Sequence, residues 1–349
     1  EARRYGAHSA MPLPTAKKLC PHAIFLPVNG AKYVHVSRRL MKILQRYSPQ
    51  LEPVSVDEAF LNISGLARIY KSEKELGRKI KRDILDELQL TCTIGIASSK
   101  ILAKLASGLN KPDGLNIIED EEMERIVYPL PVRKLWGIGE ATEKALARLG
   151  IKTIGNLACF PELKLKKVFG KNGPLMARAA AGKLDSPVHG LEELPAEKSV
   201  GHEHTFRNDT DDVEQIRAQL LLLVQRVGRR MRKRNVRGKT VTLKLRYENF
   251  ETHTHRTSLN SYTNNEGQIF SLTEQLWRQI YNLKRKIRLI GVSVSHLVER
   301  EPAGLELPFR DEQLRIKADD LLLPTVDKIK DTYGENAIWR ASGLLLKRE

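Results

Sequence analysis

Residues 54–64 read Val-Ser-Val-Asp-Glu-Ala-Phe-Leu-Asn-Ile-Ser, and this stretch decides the fold of the first half of the chain. It is rich in strand formers and ends at Gly65, so it predicts a strand or a tight strand pair. Asp57 and Glu58 are adjacent carboxylates in apolar surroundings, and their repulsion must be offset by water or a cation. Successive strand side chains face opposite ways, so both reach one cation only if the chain bends here. The alternative is an acidic β-turn open to water.

Helices and strands alternate around that stretch. Apolar residues three and four positions apart predict one helix over residues 33–47 and another over residues 73–88. A β-branched run predicts a strand over residues 91–97, and the two serines that follow it open a further helix. The order strand-helix-strand-helix indicates an α/β or α+β core for residues 30–118.

The rest of the chain divides by composition into smaller parts. Residues 1–29 are punctuated by prolines and predict a small peripheral unit. Residues 119–185 lack strand runs and are broken by glycines, as in a small helical domain, and residues 186–198 have a linker's composition. Residues 199–300 follow the order βαββαβ, which predicts a four-stranded sheet with both helices on one face. Residues 301–349 form a tail with a late helical pattern and no assigned domain.

The charge balance points to a polyanionic partner. Lys and Arg number 59 against 42 Asp and Glu, which gives a net charge of +17. Nucleic acid is the first candidate for that partner, and a ribosome-associated or merely basic protein is the alternative.

No apolar run approaches the roughly 18 residues that a membrane span needs. Cys20, Cys92 and Cys159 form no CxxC pair, so we expect a reducing cytoplasm and neither a zinc ribbon nor a disulfide framework.

Two groups of cations are candidates for binding phosphates. Lys100 and Lys104 share one helical face and Lys111 follows the helix, an arrangement that suits a triphosphate or a DNA strand. A solvated lysine face is the ordinary alternative. Eight Lys or Arg and no acid lie between positions 226 and 239, and phosphate contacts are expected there. The candidates in this second group are Arg230, Arg232, Lys233, Arg234, Arg237 and Lys239.

Two further patterns carry open alternatives. Leu135-Trp-Gly137-Ile-Gly139 predicts a helix-hairpin-helix turn, whose glycines let backbone N–H groups approach a phosphate without reading bases. A tight interhelical turn with a packed Trp136 is the alternative.

Histidines alternate on two predicted strands and mimic a metal site, but no Cys or fixed third ligand accompanies them. We interpret them as sheet-surface or DNA-facing residues and keep a zinc-dependent nucleic-acid module as a lesser alternative; they are His202, His204, His253 and His255.

Three segments together resemble the Y-family DNA polymerases, most closely the bacterial polymerase IV group. Ser55-Val-Asp-Glu-Ala-Phe-Leu resembles their second catalytic motif, and Glu1-Ala-Arg3 with Ala10-Met11-Pro12 resembles their fingers. Ala97-Ser-Ser-Lys100 through Lys111-Pro112 resembles their palm helix and nucleotide-phosphate lysine. The resemblance spans roughly residues 1–300 and implies an α+β multidomain right hand. Its parts would be fingers (1–29), palm (30–118), helix-hairpin-helix thumb (119–185) and βαββαβ little finger (199–300).

The resemblance also implies roles by position. Asp57 would be a ligand of two catalytic Mg²⁺ ions, and Glu58 would help hold the metal at the primer 3′ hydroxyl. Arg3 and Lys111 would neutralise the β and γ phosphates of an incoming deoxynucleoside triphosphate. The implied activity is template-directed DNA synthesis on primer–template DNA past damaged template bases. A non-catalytic DNA-binding protein that retains thumb and little finger is the alternative function.

The resemblance carries expectations about both ends of the chain. In the family, a first strand with another metal-binding Asp and an aromatic steric gate precedes the segment that matches Glu1-Ala-Arg3. We therefore expect the sequence to begin inside a longer product, and this chain alone to be a poor catalyst. Leu305-Glu-Leu-Pro-Phe309 resembles the peptide with which such polymerases dock on the sliding clamp, and an exposed tail without a partner is the alternative. We expect a monomer.

Overall fold

The computed structural model describes residues 1–184, 187–193, 196–281, 285–299, 311–335 and 337–338. The chain divides into two compact units, Glu1–Leu194 and Pro195–Glu349, and the boundary falls inside the linker predicted at residues 186–198. The clamp-like peptide at residues 305–309 lies outside the described residues. Within the described parts of the chain, no helix has the length and apolarity needed to cross a membrane.

The first unit contains two small sheets and a series of helices. β1 (Leu51–Pro53) pairs antiparallel with β2 (Ala59–Leu61), and β3 (Ile94–Ala97) pairs parallel with β4 (Leu115–Ile118). The helices are α1 (Leu13–Leu19), α2 (Gly30–Gln45), α3 (Ala67–Tyr70), α4 (Glu73–Leu88), α5 (Lys100–Ser107), α6 (Glu140–Ala147), α7 (Ile154–Ala158), α8 (Glu162–Phe169) and α9 (Asn172–Ala180).

The predicted pattern of the first unit is confirmed, with one strand more than expected. α2 and α4 occupy the two predicted amphipathic segments, and α4 begins at Ser72, whose hydroxyl accepts a hydrogen bond from the backbone N–H of Glu75 at 3.2 Å. The strand pair predicted at residues 54–64 begins earlier than expected, because β1 precedes residue 54 and only β2 lies within that stretch. β4 was not predicted, because its run of four residues is too short to stand out as a strand.

Two apolar clusters hold the first unit together. One lies between α2 and α4 around Ile43, Leu76 and Ile80. The other joins α5 to the helical segment that follows, and it contains the fully buried Leu102 and Leu146. Because α5 belongs to this second cluster, the helical segment does not have a core separate from the palm-like region.

β3 and α5 pack unusually closely. A Cβ at Gly95 would lie 2.2 Å from both the carbonyl oxygen of Ala103 and the backbone nitrogen of Ser107. Real Cβ atoms do not approach backbone atoms so closely, so only glycine fits at this position of β3. This contact sets the height of α5 above the strand, and therefore the position of the lysines that α5 carries.

The second unit is built around one antiparallel sheet. Its elements are β5 (Ser199–Thr210), α10 (Val213–Lys233), β6 (Val236–Tyr247), β7 (Thr252–Thr263), α11 (Glu266–Ile280), β8 (Ile287–Glu299) and α12 (Asp311–Tyr333). The strand order is β5-β8-β6-β7, with irregular register between Thr205 and Thr210 and between Gly238 and Thr240. The predicted βαββαβ order is confirmed.

Both packed helices cover the same face of this sheet. The alternate residues Val241, Leu243 and Leu245 of β6 are fully buried against apolar residues of α10 and α11. The intervening residues of β6 therefore lie on a face that neither helix covers. The sequence predicted only the last turns of α12, which is longer than expected and carries Pro324 inside it.

Candidate active site and nucleic-acid surfaces

Asp57 and Glu58 lie in the turn that joins β1 to β2. The backbone N–H groups of Val54 and Ser55 donate to the carbonyl oxygen of Glu58 at 2.9 and 3.1 Å, which closes the turn. The Ser55 hydroxyl donates to Asp57 Oδ1 at 2.6 Å. Asp57 is exposed and Glu58 is half-buried. The bend that sequence reasoning required for a shared cation is therefore this turn, and the acidic pair does not sit inside a buried strand.

One cleft gathers the residues of the first unit that were predicted to act together. It has a volume of about 980 Å³, and Asp57, Glu58, Arg3 and Lys111 all line it. These residues come from the turn, from a 3₁₀ segment at Ala2–Tyr5 and from the loop after α5. Carboxylates and phosphate-binding cations thus face the same space.

The lysines of α5 already have carboxylate partners. Lys104 forms an ion pair with Glu58, which compensates the charge of that carboxylate. Lys100 Nζ lies 2.9 Å from Glu52 Oε2, and both side chains are mostly buried. Burial tends to raise the pKa of Glu52, but hydrogen bonds from Lys100 and from the backbone N–H of His189 outweigh burial, and the pKa lies below its usual value. Lys100 is thus a structural cation of the β1–α5 interface, which argues against the predicted contact with DNA.

Arg3 and Lys111 differ from the lysines of α5. Within the described residues, neither side chain forms an ion pair. Both line the cleft and are available to an anion that enters it. The guanidinium of Arg3 offers a planar fork for two phosphate oxygens, and the ammonium of Lys111 offers a compact charge.

The acidic turn fits a hard divalent cation that is shared with a substrate. Mg²⁺ is commonly bound by one or two protein carboxylates together with substrate phosphates and water, and Asp57 and Glu58 supply two carboxylates. Among the residues that the structure describes, no group of three or more His, Cys, Asp or Glu is arranged to hold a metal ion. A divalent cation at this turn would therefore need oxygen ligands besides these two carboxylates.

The predicted helix-hairpin-helix turn has the open glycines that a phosphate contact needs. Gly137 has a φ of +94°, which favours glycine, and Gly139 precedes the first residue of α6. Nothing lies within 4 Å of the positions that a Cβ would take at either glycine. Trp136 is half-exposed and packs on Phe60 of β2, with ring centroids 5.9 Å apart. The turn is therefore open on its glycine side and packed on its tryptophan side.

Several basic residues of α10 are engaged in ion pairs. Arg232 is mostly buried, with Glu266 Oε1 at 2.7 Å from its Nη2 and Asp327 Oδ2 at 2.6 Å from its Nε. Lys233 pairs with Asp331 at 2.8 Å, and Arg234 pairs with Glu197. Arg232 is better explained as a structural residue that joins α10 to α11 and α12 than as the predicted phosphate contact. Of the other candidates, Arg230 is exposed and Lys239 lies over the Tyr262 ring. Arg237 has a buried Nε that finds no hydrogen-bond partner in the described ranges of the chain.

Comparison with known proteins covers almost the whole chain. Residues 1–108 match the impB/mucB/samB family, residues 197–307 match its C-terminal domain, and residues 120–151 match the IMS family HHH motif. DNA polymerase IV of Desulfatibacillum aliphaticivorans is 36% identical over 342 residues, which are 97% of this chain and 84% of that protein. DNA polymerase IV of Listeria monocytogenes is 39% identical over 297 residues, which are 85% of this chain and 83% of that protein.

The chain belongs to the Y family of DNA-directed DNA polymerases. Among solved structures, a Y-family DNA polymerase chimera of Dbh and Dpo4 matches with a TM-score of 0.75 and 27% identity over 86% of each chain. DinB from Sulfolobus solfataricus matches with a TM-score of 0.53 and 26% identity over 86% of this chain and 87% of that chain. The predicted fold class and the predicted resemblance are both confirmed.

The little finger of this Y-family chain has a basic face that the sequence prediction missed. Lys244 and Arg246 of β6 alternate with buried leucines, and Arg256 of β7 pairs in register with Thr242. These side chains lie on the face that α10 and α11 leave uncovered, among threonines and serines. Lys and Arg alternate with Leu in the sequence of β6, so this basic face could have been found. The prediction instead assigned the phosphate contacts to the denser basic run at the end of α10.

The four histidines that mimic a metal site in the sequence are divided between the two outer strands of the Y-family little finger. His202 and His204 lie on β5, and His253 and His255 lie on β7, with β8 and β6 between them. Three strand spacings separate the pairs by roughly 14 Å, which is too far for one shared ion. His202 and His204 share the sheet face of the buried Val200, so the zinc-module alternative has no geometric support.

Proposed function

We propose that the chain is a translesion-type polymerase that adds deoxynucleotides to a primer 3′ end under the direction of a template, past damaged template bases. The observation that carries this proposal is that Asp57, Glu58, Arg3 and Lys111 line a single cleft. Acids that bind divalent metals and cations that bind phosphates are the groups that phosphoryl transfer requires. Membership of the Y family supports the reaction class.

Asp57 and Glu58 are proposed to hold the metal. Two Mg²⁺ ions, when bound, would stabilise the attacking and leaving oxygens of an in-line displacement. The Ser55 hydroxyl orients the Asp57 carboxylate through its 2.6 Å hydrogen bond. Lys104 sets the rotamer and the charge balance of Glu58 through their ion pair.

Arg3 and Lys111 are proposed to bind the β and γ phosphates of the incoming triphosphate. Arg3 would donate two parallel hydrogen bonds to phosphate oxygens, and the ammonium of Lys111 would add a compact positive charge. Neither cation forms an ion pair with a carboxylate in the described residues, so no carboxylate there competes with the phosphates for them.

Lys111→Gln is expected to raise the KM for deoxynucleoside triphosphate by about 10-fold, because a hydrogen bond from a charged donor contributes about 1.5–3 kcal/mol. The affinity for primer–template DNA should change less than twofold, since Lys111 is assigned to the triphosphate. Steady-state primer extension and fluorescence anisotropy with labelled DNA measure the two quantities. Equal weakening of both would contradict the assignment of Lys111 to the nucleotide.

DNA is proposed to contact two surfaces, one in each unit. In the thumb, backbone N–H groups beside Gly137 and Gly139 would bind a phosphate, because their Cα positions are open and α6 begins there. In the little finger, Arg246 and Arg256 would bind phosphates along the face that the helices leave uncovered. Lys244 on the same face pairs with Glu203 at 2.9 Å and would exchange that exposed carboxylate for a phosphate. Both contacts are independent of sequence, as a polymerase requires.

Arg256→Gln is expected to weaken binding of primer–template DNA about threefold to tenfold and to reduce the slope of log Kd against log salt by about one. Arg278→Gln is the matched control, because Arg278 is an exposed arginine of α11 and lies on the helical side of the sheet. Anisotropy titrations over a range of salt concentrations measure both effects. The same loss in both variants would mean that only net charge matters and that the uncovered face is not the DNA surface.

Primer extension by the whole gene product in the presence of Mg²⁺ tests the proposed function. Template-directed addition that EDTA abolishes would support it. Tight DNA binding without any extension would favour the alternative, a DNA-binding protein that no longer catalyses. Extension on a template that contains an abasic site, compared with extension on an undamaged template, tests translesion synthesis. Arrest at the lesion alone would contradict translesion synthesis and leave the polymerase activity in place.

A further inference from the structure

A second cavity lies in the little finger, on the helical side of the sheet. Its volume is about 380 Å³, and it is bordered by α10, by β5 and by the end of α12. Five of its side chains are cations: Arg226, Arg229, Arg230, Lys233 and Lys330. Nearby carboxylates of Asp331 and Glu335 offset part of this charge, and an anion in the cavity would offset more of it.

Three of these cations have no carboxylate partner. Arg226, Arg230 and Lys330 form no ion pair within the described residues, whereas Lys233 pairs with Asp331 at 2.8 Å. Arg226 and Arg230 are four residues apart on α10, so they project from the same helical face. Lys330 faces them from α12. The cavity is thus surrounded from two elements by cations that remain available.

Arg229 forms the floor of this cavity. Its side chain is only 8% exposed, and its Nη2 lies 2.8 Å from Asp331 Oδ1, which fixes the guanidinium. Its Nε, also buried, lies 3.7 Å from Asp327 Oδ1, which is too far for a hydrogen bond, and it has no hydrogen-bond acceptor in the part of the chain that the structure describes. A buried guanidinium with an unused donor is costly unless an acceptor completes its hydrogen bonds.

Among the residues that the structure describes, the carboxylate that lines this cavity is that of Glu335, which forms an ion pair with Arg229. Glu335 follows the end of α12 directly after Gly334, whose φ is +96°, and its side chain is 70% exposed. An exposed carboxylate beyond a helix end can leave at little cost, whereas the buried Arg229 cannot. Glu335 therefore occupies the position that an anionic ligand would take.

The pKa of His202 is affected by the positive charges around this cavity. Burial, followed by the charges of Arg230 and Arg226, lowers the pKa of His202 below its usual value. His202 lines the cavity from β5 and shares the covered face of the sheet. A duplex bound along the uncovered face would not reach this side, so the cavity is a separate site.

We propose that this cavity binds a phosphate group and that Glu335 is the intramolecular carboxylate that the phosphate displaces. A phosphate offers three or four oxygens to Arg226, Arg229, Arg230 and Lys330 and completes the hydrogen bonds of the buried guanidinium. The source of the phosphate is a phosphodiester of single-stranded DNA or a free polyphosphate, and both present the same chemistry to this cavity.

The test uses NMR of the whole chain labelled with ¹³C-histidine, because the imidazole of His202 lines this cavity. The signal is assigned by its loss in His202→Gln. Tripolyphosphate and an oligonucleotide of ten thymidines are titrated separately. A saturable shift with either probe supports the proposal and identifies the source. No shift with either probe overturns it, whatever the outcome of primer extension, so failure here is distinct from failure of the proposed polymerase activity.

Two pairs of variants distinguish the proposed site from long-range charge. Glu335→Gln is expected to tighten the binding seen at His202 about fivefold, and Arg226→Gln to weaken it about 10-fold. The matched controls are Glu214→Gln at the other end of α10 and Arg278→Gln on α11, both exposed and remote from the cavity. The controls should stay within twofold of the unmodified chain. Equal effects of Glu335→Gln and Glu214→Gln would overturn the role of Glu335.

Discussion

Asp57→Asn is expected to lower the kcat of primer extension by about 10³-fold or more, with the affinity for primer–template DNA unchanged. Asn retains the size of Asp and accepts the hydrogen bond from the Ser55 hydroxyl, so the turn between β1 and β2 is preserved. What the substitution removes is the negative charge and one of the two oxygens that bind a hard cation. The loss should therefore fall on catalysis and not on folding.

Asp86→Asn is the control for this prediction. Asp86 is an exposed carboxylate on α4 and does not line the cleft. The kcat of the Asp86→Asn variant should therefore stay within twofold of the kcat of the unmodified protein. Single-turnover extension with the whole gene product measures the chemical step directly. A kcat that Asp57→Asn leaves intact would remove Asp57 from the metal site and, with it, the main argument for the cleft as the active site.

Gly95→Ala is expected to destabilise the first unit by about 3 kcal/mol. The added Cβ would lie 2.2 Å from two backbone atoms of α5, and backbone atoms cannot move aside as the end of a flexible side chain can. α5 must therefore shift as a whole, which disturbs the cluster around Leu102 and the Lys104–Glu58 ion pair. Polymerase activity should fall together with stability.

Gly30→Ala provides the matched control. Gly30 is the first residue of α2, and nothing lies within 4 Å of the position that its Cβ would take. Ala at an unstrained helical position is neutral or stabilises by about 0.5–1 kcal/mol. Urea unfolding followed by circular dichroism compares the two variants through the first transition. Equal midpoints would show that β3 and α5 are not packed as closely as described.

The little finger was predictable because its signals are local. Leu243 and Leu245 alternate with polar residues, which indicates a strand. The apolar residues of α10 repeat at three and four positions, which indicates a helix. The order of the elements then restricts the topology to few arrangements. The fold of this unit thus followed from periodicity together with general rules of sheet topology.

The partners of the charged residues could not be predicted in the same way. Arg232 lies in a run without acids, yet its partner Asp327 is 95 residues away in sequence. Lys100 seemed free for a phosphate, but Glu52 lies 48 residues before it and meets it across β1. Ion pairs that cross between elements depend on the packed structure, and a sequence reveals only how many charges there are. The same holds for Asp57 and Glu58, whose position in a turn depends on the pairing of β1 with β2.

The order of strands in the second unit has a consequence for self-association. β5 and β7 are the outer strands of the sheet in the described residues, and outer strands with free backbone groups can pair with another molecule. Both are irregular: β5 loses its register between Thr205 and Thr210, and β7 shifts against β6 near Gly238. The charged residues Arg207 and Arg256 lie on these two strands and are exposed. Irregular, charged outer strands of this kind discourage the sheet from extending between copies.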